Sequence, residues 1–143
     1  MGQEVVLDTN VLLKVYNREP GYEGVTEILD RVDRGEVTAA ISAMTVAEVA
    51  VGYHMSGDER GLKVFILHLR SSGNYVMVDV DVELAELAGR IRAETGLRLP
   101  DAIIAATGVT TEASHVITED RQFKKASAFI PSLTPDEFLG TLR

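Results

Sequence analysis

Residues 4–16 read EVVLDTNVLLKVY, from Glu4 to Tyr16. Glu4–Asp8 has the form of a short buried strand, with consecutive apolar side chains, two of them β-branched, closed by an acid. Val11 to Tyr16 stays apolar and is expected to be a helix entered through Thr9 or Asn10. A strand that feeds straight into a helix is half of a βαβ unit, so the fold turns on whether the alternation recurs.

It recurs along the chain. Pro20 and Gly21 break the first helix, and Gly24 to Arg34 then sets Val25, Ile28, Leu29 and Val32 at helical spacing before Gly35 stops it. Val37–Ile41 is a second strand, with Ser42 placed to cap a helix from Thr45 to Met55. A polar stretch, Ser56–Arg60, leads into a helix over Gly61–Arg70, and Tyr75–Val78 is a third strand. Asp81 caps a helix that runs to Thr95 and ends at Gly96, with Glu86, Arg90 and Glu94 four apart on a solvated face. Pro100 opens a helix through Thr107, His115–Ile117 is a strand, Ala128–Ile130 a short last strand, and Thr134 to Leu142 a closing helix. Strands alternating with helices imply an α/β fold whose parallel sheet is covered on both faces. Sites in such sheets form beyond the carboxyl ends of the strands.

Composition bounds the function. A chain of 143 residues, 45% apolar and 25% charged, is enough for one domain, taken as 1–143. The absence of cysteine removes disulfides, thiolate metal sites and cysteine nucleophiles together, and fits a reducing cytosol. Met1 to Asp8 lacks the pattern of a signal peptide and no apolar run approaches bilayer length, so the expectation is a cytoplasmic protein without membrane contact. A net charge of −8 argues against a plain nucleic-acid-binding module, which would be basic. It leaves room for a nuclease whose metal ions carry positive charge to the phosphate.

Four acids stand where chemistry is expected. Asp8 ends the first strand and Asp120 follows Val116-Ile117 by two residues; each also has a plain explanation as a helix cap. Glu48 lies on a helix whose Val46, Val49, Ala50 and Tyr53 form one apolar face, extended by Ala47, Val51 and Met55. Only Thr45, Glu48 and Gly52 make a narrow non-apolar strip, so the Glu48 carboxylate is expected to be partly buried and to need a partner. Asp101, after Pro100, sits in a first helical turn where the dipole favours an anion, ahead of the buried run Ala102–Ala106. Converging carboxylates repel, and a hard divalent ion such as Mg²⁺ or Mn²⁺ resolves the repulsion through oxygen ligands. Zinc is disfavoured: there is no Cys, and His54, His68 and His115 lack ligand spacing.

Four pieces in order, LDTNVLL with Asp8, SAMTVAEVAVG with Glu48, LRLPDAIIAATG with Asp101 and VITEDRQF with Asp120, resemble the PIN-domain family and, more narrowly, the VapC-type toxins of toxin–antitoxin systems. The resemblance spans Val6 to Phe123. It implies a three-layer α/β/α sandwich with a central parallel sheet, and a Mg²⁺- or Mn²⁺-dependent endoribonuclease leaving a 5′-phosphate and a 3′-hydroxyl. Asp8, Glu48, Asp101 and Asp120 carry over as metal-holding and catalytic acids. Thr9, Asn10 and Thr118 match supporting polar positions, Thr118 orienting a ligand or the attacking water. One departure is Glu119, where such toxins often have Asn; the following Arg121-x-Phe123 favours Asp120 as the ligand. Arg98, Arg121, Lys124 and Lys125 are candidate RNA contacts, or else a solvated basic face. The resemblance further implies a homodimer and a cognate antitoxin, with Val11–Tyr16 and Val25–Val32 as candidate contact surfaces that core packing explains equally.

Three rival readings follow from the same residues. A haloacid-dehalogenase-type phosphatase needs a second Asp two positions after the first, where Asn10 stands. A non-catalytic PIN scaffold is disfavoured because all four acids are present, and a PIN nuclease of RNA processing outside toxin–antitoxin systems is compatible with every residue named.

Overall fold

The computed structural model describes residues 3–142. Five parallel strands, β1 (Gln3–Leu7), β2 (Val37–Ser42), β3 (Tyr75–Val78), β4 (His115–Ile117) and β5 (Ser132–Leu133), form one sheet in the order β3-β2-β1-β4-β5. Helices α1 (Thr9–Tyr16), α2 (Tyr22–Asp33), α3 (Ala43–Ser56), α4 (Glu59–Ser71), α5 (Val82–Thr95), α6 (Leu99–Thr110) and α7 (Pro135–Thr141), with a 3₁₀ turn over Arg121–Ala126, complete the chain. This is the α/β/α sandwich that the alternating pattern predicts.

Strand parity builds the two cores. Val5 and Leu7 of β1, Ala39 and Ile41 of β2 and Ile117 of β4 face one side, where Val25, Ile28, Phe65 and Phe138 of α2, α4 and α7 cover them. Val6, Ala40 and Val116 face the other, under Leu84, Ile91, Ile104 and Ala105 of α5 and α6. Continuously apolar strands are what a sheet covered on both faces requires. Small residues let α6 lie close: a Cβ on Gly108 would collide with the Ile130 side chain.

The last strand differs from expectation. Ala128–Ile130 is turn, and β5 forms at Ser132–Leu133, where the Thr118 amide donates to the Leu133 carbonyl and the Val116 amide to that of Pro131. Ile130 is held instead by burial against α6. The α2 stripe Val25–Val32 lies wholly in the core, as do Val11 and Leu12, so neither offers a contact surface there. Apolar side chains expected to extend the buried face of α3 are exposed: Val51 at 55% and Met55 at 84%, beside Val64 at 58% and Leu67 at 66% on α4. No described helix is long and apolar enough to cross a membrane.

The chain fills the sheet outward from β1, first to β2 and β3 and then, after α5 and α6 on the opposite face, to β4 and β5. Neighbouring β1 and β4 thus send their following segments apart, opening a crevice at their carboxyl ends. Asp8 and the segment Thr118–Asp120 lie at that crevice.

Candidate active site

Asp8 is the centre of a buried polar network. As N-cap of α1, its Oδ1 accepts the Thr9 amide at 2.8 Å. Its Oδ2 accepts the Thr118 hydroxyl at 2.8 Å and the Asn10 side-chain amide at 3.0 Å. Thr118 in turn accepts the Asp120 amide at 2.9 Å, and Asn10 Oδ1 accepts the Glu119 amide at 3.3 Å. One hydroxyl and one carboxamide therefore tie the end of β1 to the loop after β4.

The other three acids arrive on separate elements. Glu48 projects from α3, half-buried as expected, and its Oε1 accepts the Thr9 hydroxyl at 2.6 Å; that hydroxyl lies 3.0 Å from the one on Thr45. Asp101, buried in the first turn of α6, pairs with Arg98 at 3.2 Å. Asp120 caps the 3₁₀ turn through the Gln122 amide at 2.9 Å. Asp8, Glu48, Asp101 and Asp120 line a single cavity of about 170 Å³ together with Thr9, Asn10, Leu13 and Arg98.

The charge there is unbalanced. Burial raises the Asp8 carboxyl to a pKa of about 6 against the lowering effect of its hydrogen bonds, and the charges of Asp101 and Glu48 add to the rise. The Arg98 guanidinium is raised by its bond to Asp101 and by the fields of Asp120 and Glu48, but its side chain is 75% exposed. Among the described residues no three acidic or histidine side chains are gathered closely enough to hold an ion as they stand. Each carboxylate is occupied by its own donors, an arrangement that spreads like charges apart.

Glu119 turns away: its carboxylate pairs with Lys14 of α1 at 3.2 Å, and it does not line the acidic cavity. Lys14 was missed in the sequence, although it stands one helical turn after Asn10 and so on the same face of α1. Among the cations, Arg98 lines the acidic cavity and, with Lys125 and Gln122, an adjoining one of about 260 Å³. Arg121 and Lys124 lie on the β5–α7 side, near Glu137, where Lys124 donates to the Ser132 carbonyl at 2.9 Å. Thr118 is buried behind the acids and does not line their cavity.

A family model described as the PIN domain matches residues 5–128, and the chain belongs to the PIN-domain family. No curated protein matches it. Among solved structures it is similar to a toxin–antitoxin complex from Klebsiella pneumoniae, at 25% identity and a TM-score of 0.69 over 92% of this chain and 97% of that one. FitAcB from Neisseria gonorrhoeae matches at 26% identity and a TM-score of 0.67, again over 92% and 97%. VapC20 from Mycobacterium tuberculosis, described as a sarcin–ricin loop cleaving toxin, matches at 15% identity and a TM-score of 0.70 over 88% and 96%. At 15% identity that last likeness is one of fold alone.

Proposed function

We propose that this PIN-domain protein is a metal-dependent endoribonuclease, the toxin of a VapBC-type pair. The observation that carries the reading is the arrival of Asp8, Glu48, Asp101 and Asp120, from four separate segments, at one cavity at the carboxyl ends of β1 and β4. The donor set suits Mg²⁺ or Mn²⁺: all the groups are hard oxygens, and Asp8 is buried without a cation of the chain bonded to it. The four acids would hold the ion, which when bound supplies an acidified water and positive charge for a phosphodiester.

The remaining residues have positioning work. Thr118 and Asn10 fix the Asp8 carboxylate and the Asp120 backbone, and Thr9 holds Glu48. Arg98 and Lys125 provide cationic grip on an RNA phosphate beside the acids. Membership of the PIN-domain family supports a nuclease, and similarity to a toxin–antitoxin complex supports an antitoxin as partner. The exposed apolar side chains Val51 and Met55 of α3 and Val64 and Leu67 of α4 suit a protein partner, antitoxin or second copy. Incubation of the purified protein with mixed RNA should give cleavage in Mg²⁺ or Mn²⁺ and none in a chelator. Cleavage that survives complete chelation would refute the metal-dependent reading.

A further inference from the structure

Next to the acidic cavity lies a larger one of about 440 Å³ between α1 and α3, reaching the start of α4. Leu13 and Glu48 line both, so the two spaces adjoin. Its walls are of a different kind. Tyr16 and Tyr53 both pack on Phe65, Tyr16 edge-on at 5.0 Å and Tyr53 tilted at 6.4 Å between ring centroids. Asn17, the C-cap of α1, and Asp58 add an amide and a carboxylate at the rim.

Two glycines shape this cavity in opposite ways. At Gly61 a Cβ would lie 2.6 Å from Tyr53 Cε1 and closer still to Asp58, so only glycine lets the Tyr53 ring seat against the first turn of α4. At Gly52, in the middle of α3, a Cβ would meet nothing within 4 Å. Glycine inside a helix destabilises it relative to alanine, and here no internal contact requires it. What Gly52 provides is open space on the cavity wall.

We propose that this cavity is a nucleobase subsite for the nucleotide adjoining the scissile phosphate. The inference rests on the endoribonuclease reading and deepens it. Aromatic side chains offer stacking faces to an unpaired base, the usual way single-stranded RNA is held. The Asn17 amide presents a donor and an acceptor to a base edge, while the Asp58 carboxylate accepts from exocyclic amines and ring N–H groups. That carboxylate also repels a phosphate, which leaves the backbone to the Arg98 and Lys125 side. The strand therefore crosses the acids with its base toward α1 and α3 and its phosphates toward α6 and the 3₁₀ turn.

The test uses Gly52→Leu, whose side chain has room to enter the cavity, with Tyr53→Ala beside it and thermal melting to show that both variants fold. Two readouts are taken: the distribution of cut positions in a random-sequence RNA pool with Mn²⁺, and the Kd of an RNA tetranucleotide on Asp8→Asn protein with and without Gly52→Leu. Wild type should show base preference at one position flanking the cut, lost in both variants, and Gly52→Leu should weaken tetranucleotide binding about tenfold. Unchanged preference and Kd in folded variants overturn the subsite and leave the nuclease reading intact. RNA neither cut nor bound by wild type overturns both. If Gly52→Leu leaves RNA handling untouched but abolishes capture of an antitoxin, the cavity belongs to a protein partner and the nucleobase assignment falls.

Discussion

The last residue of β1 and the one that follows it solve different problems. Leu7 is fully buried among apolar side chains of the α1–α4 face and adds to stability in proportion to the area it hides from water. Asp8, only 5% exposed, carries a charge into the same desolvated layer, and three neutral donors do not offset its burial, since its pKa is raised to about 6. The first region is built to hold the chain together and the second is held in place by the first. Strained electrostatics at the end of a rigid strand are what a site for a cation needs.

The comparison breaks most visibly at Leu7. Leu7→Ala should lower unfolding free energy by about 2–5 kcal/mol, measured by urea denaturation, through lost burial and a residual cavity. Asp8→Asn should do the reverse in metal-free protein at pH 7, raising stability by up to about 3 kcal/mol, the equivalent of the rise from 3.8 to about 6. The sign follows from proton binding: between those pH values the native state keeps a proton that the unfolded state has lost, so wild-type stability falls as pH rises through the window. The advantage of Asp8→Asn should thus be full above pH 6 and vanish below about pH 4; an advantage that persists in acid would point to a cause other than charge. The same variant should lose RNA cleavage by more than the roughly 10- to 100-fold typical of a supporting residue.

Smaller effects sharpen the boundary. Thr118→Val removes the hydroxyl joining Asp8 to the Asp120 amide, and should weaken Mn²⁺ binding and cleavage about 10- to 100-fold while the fold is retained. Calorimetric Mn²⁺ affinity equal to wild type would show that the hydroxyl positions nothing. Glu119→Gln should be the mildest: its pairing with half-buried Lys14 predicts a stability change under about 1 kcal/mol and cleavage close to wild type. Loss of activity in that variant comparable to that of Asp8→Asn would make Glu119 the ligand.

Much of the fold was legible because parity and helical spacing are local. Val5 to Leu7 and Val25 to Val32 announce their own geometry, and the caps at Asp8, Ser42, Asp81 and Gly96 fall where the sequence places them. Periodicity cannot see a two-residue strand: Ser132–Leu133 is defined by its register with Val116 and Ile117, while Phe129 and Ile130 have the stronger β-propensity. Nor can it say what covers a face, which is why Val51 and Met55 look like core in sequence and are solvent-exposed in the fold. The four acids were nameable from their motifs, and Glu48 also from its lonely place on an apolar helix. Their gathering and the diversion of Glu119 to Lys14 depend on how distant segments meet, whereas the pairing of Arg98 with Asp101 is local, within one helical turn.

That distance has a consequence for synthesis. The bond from Thr118 to Asp8 spans 110 residues of sequence, and β1 finds β4 only after the four helices α1–α4 of the near face, two strands and both helices of the far face have been made. Contacts of such long sequence separation form late. A ribosome making this chain therefore carries Asp8 without Thr118 until 110 further residues have been made, and the acidic cavity is assembled only then. The order of the strands thus keeps a nuclease of the kind proposed incomplete on the ribosome until its last acid has been made.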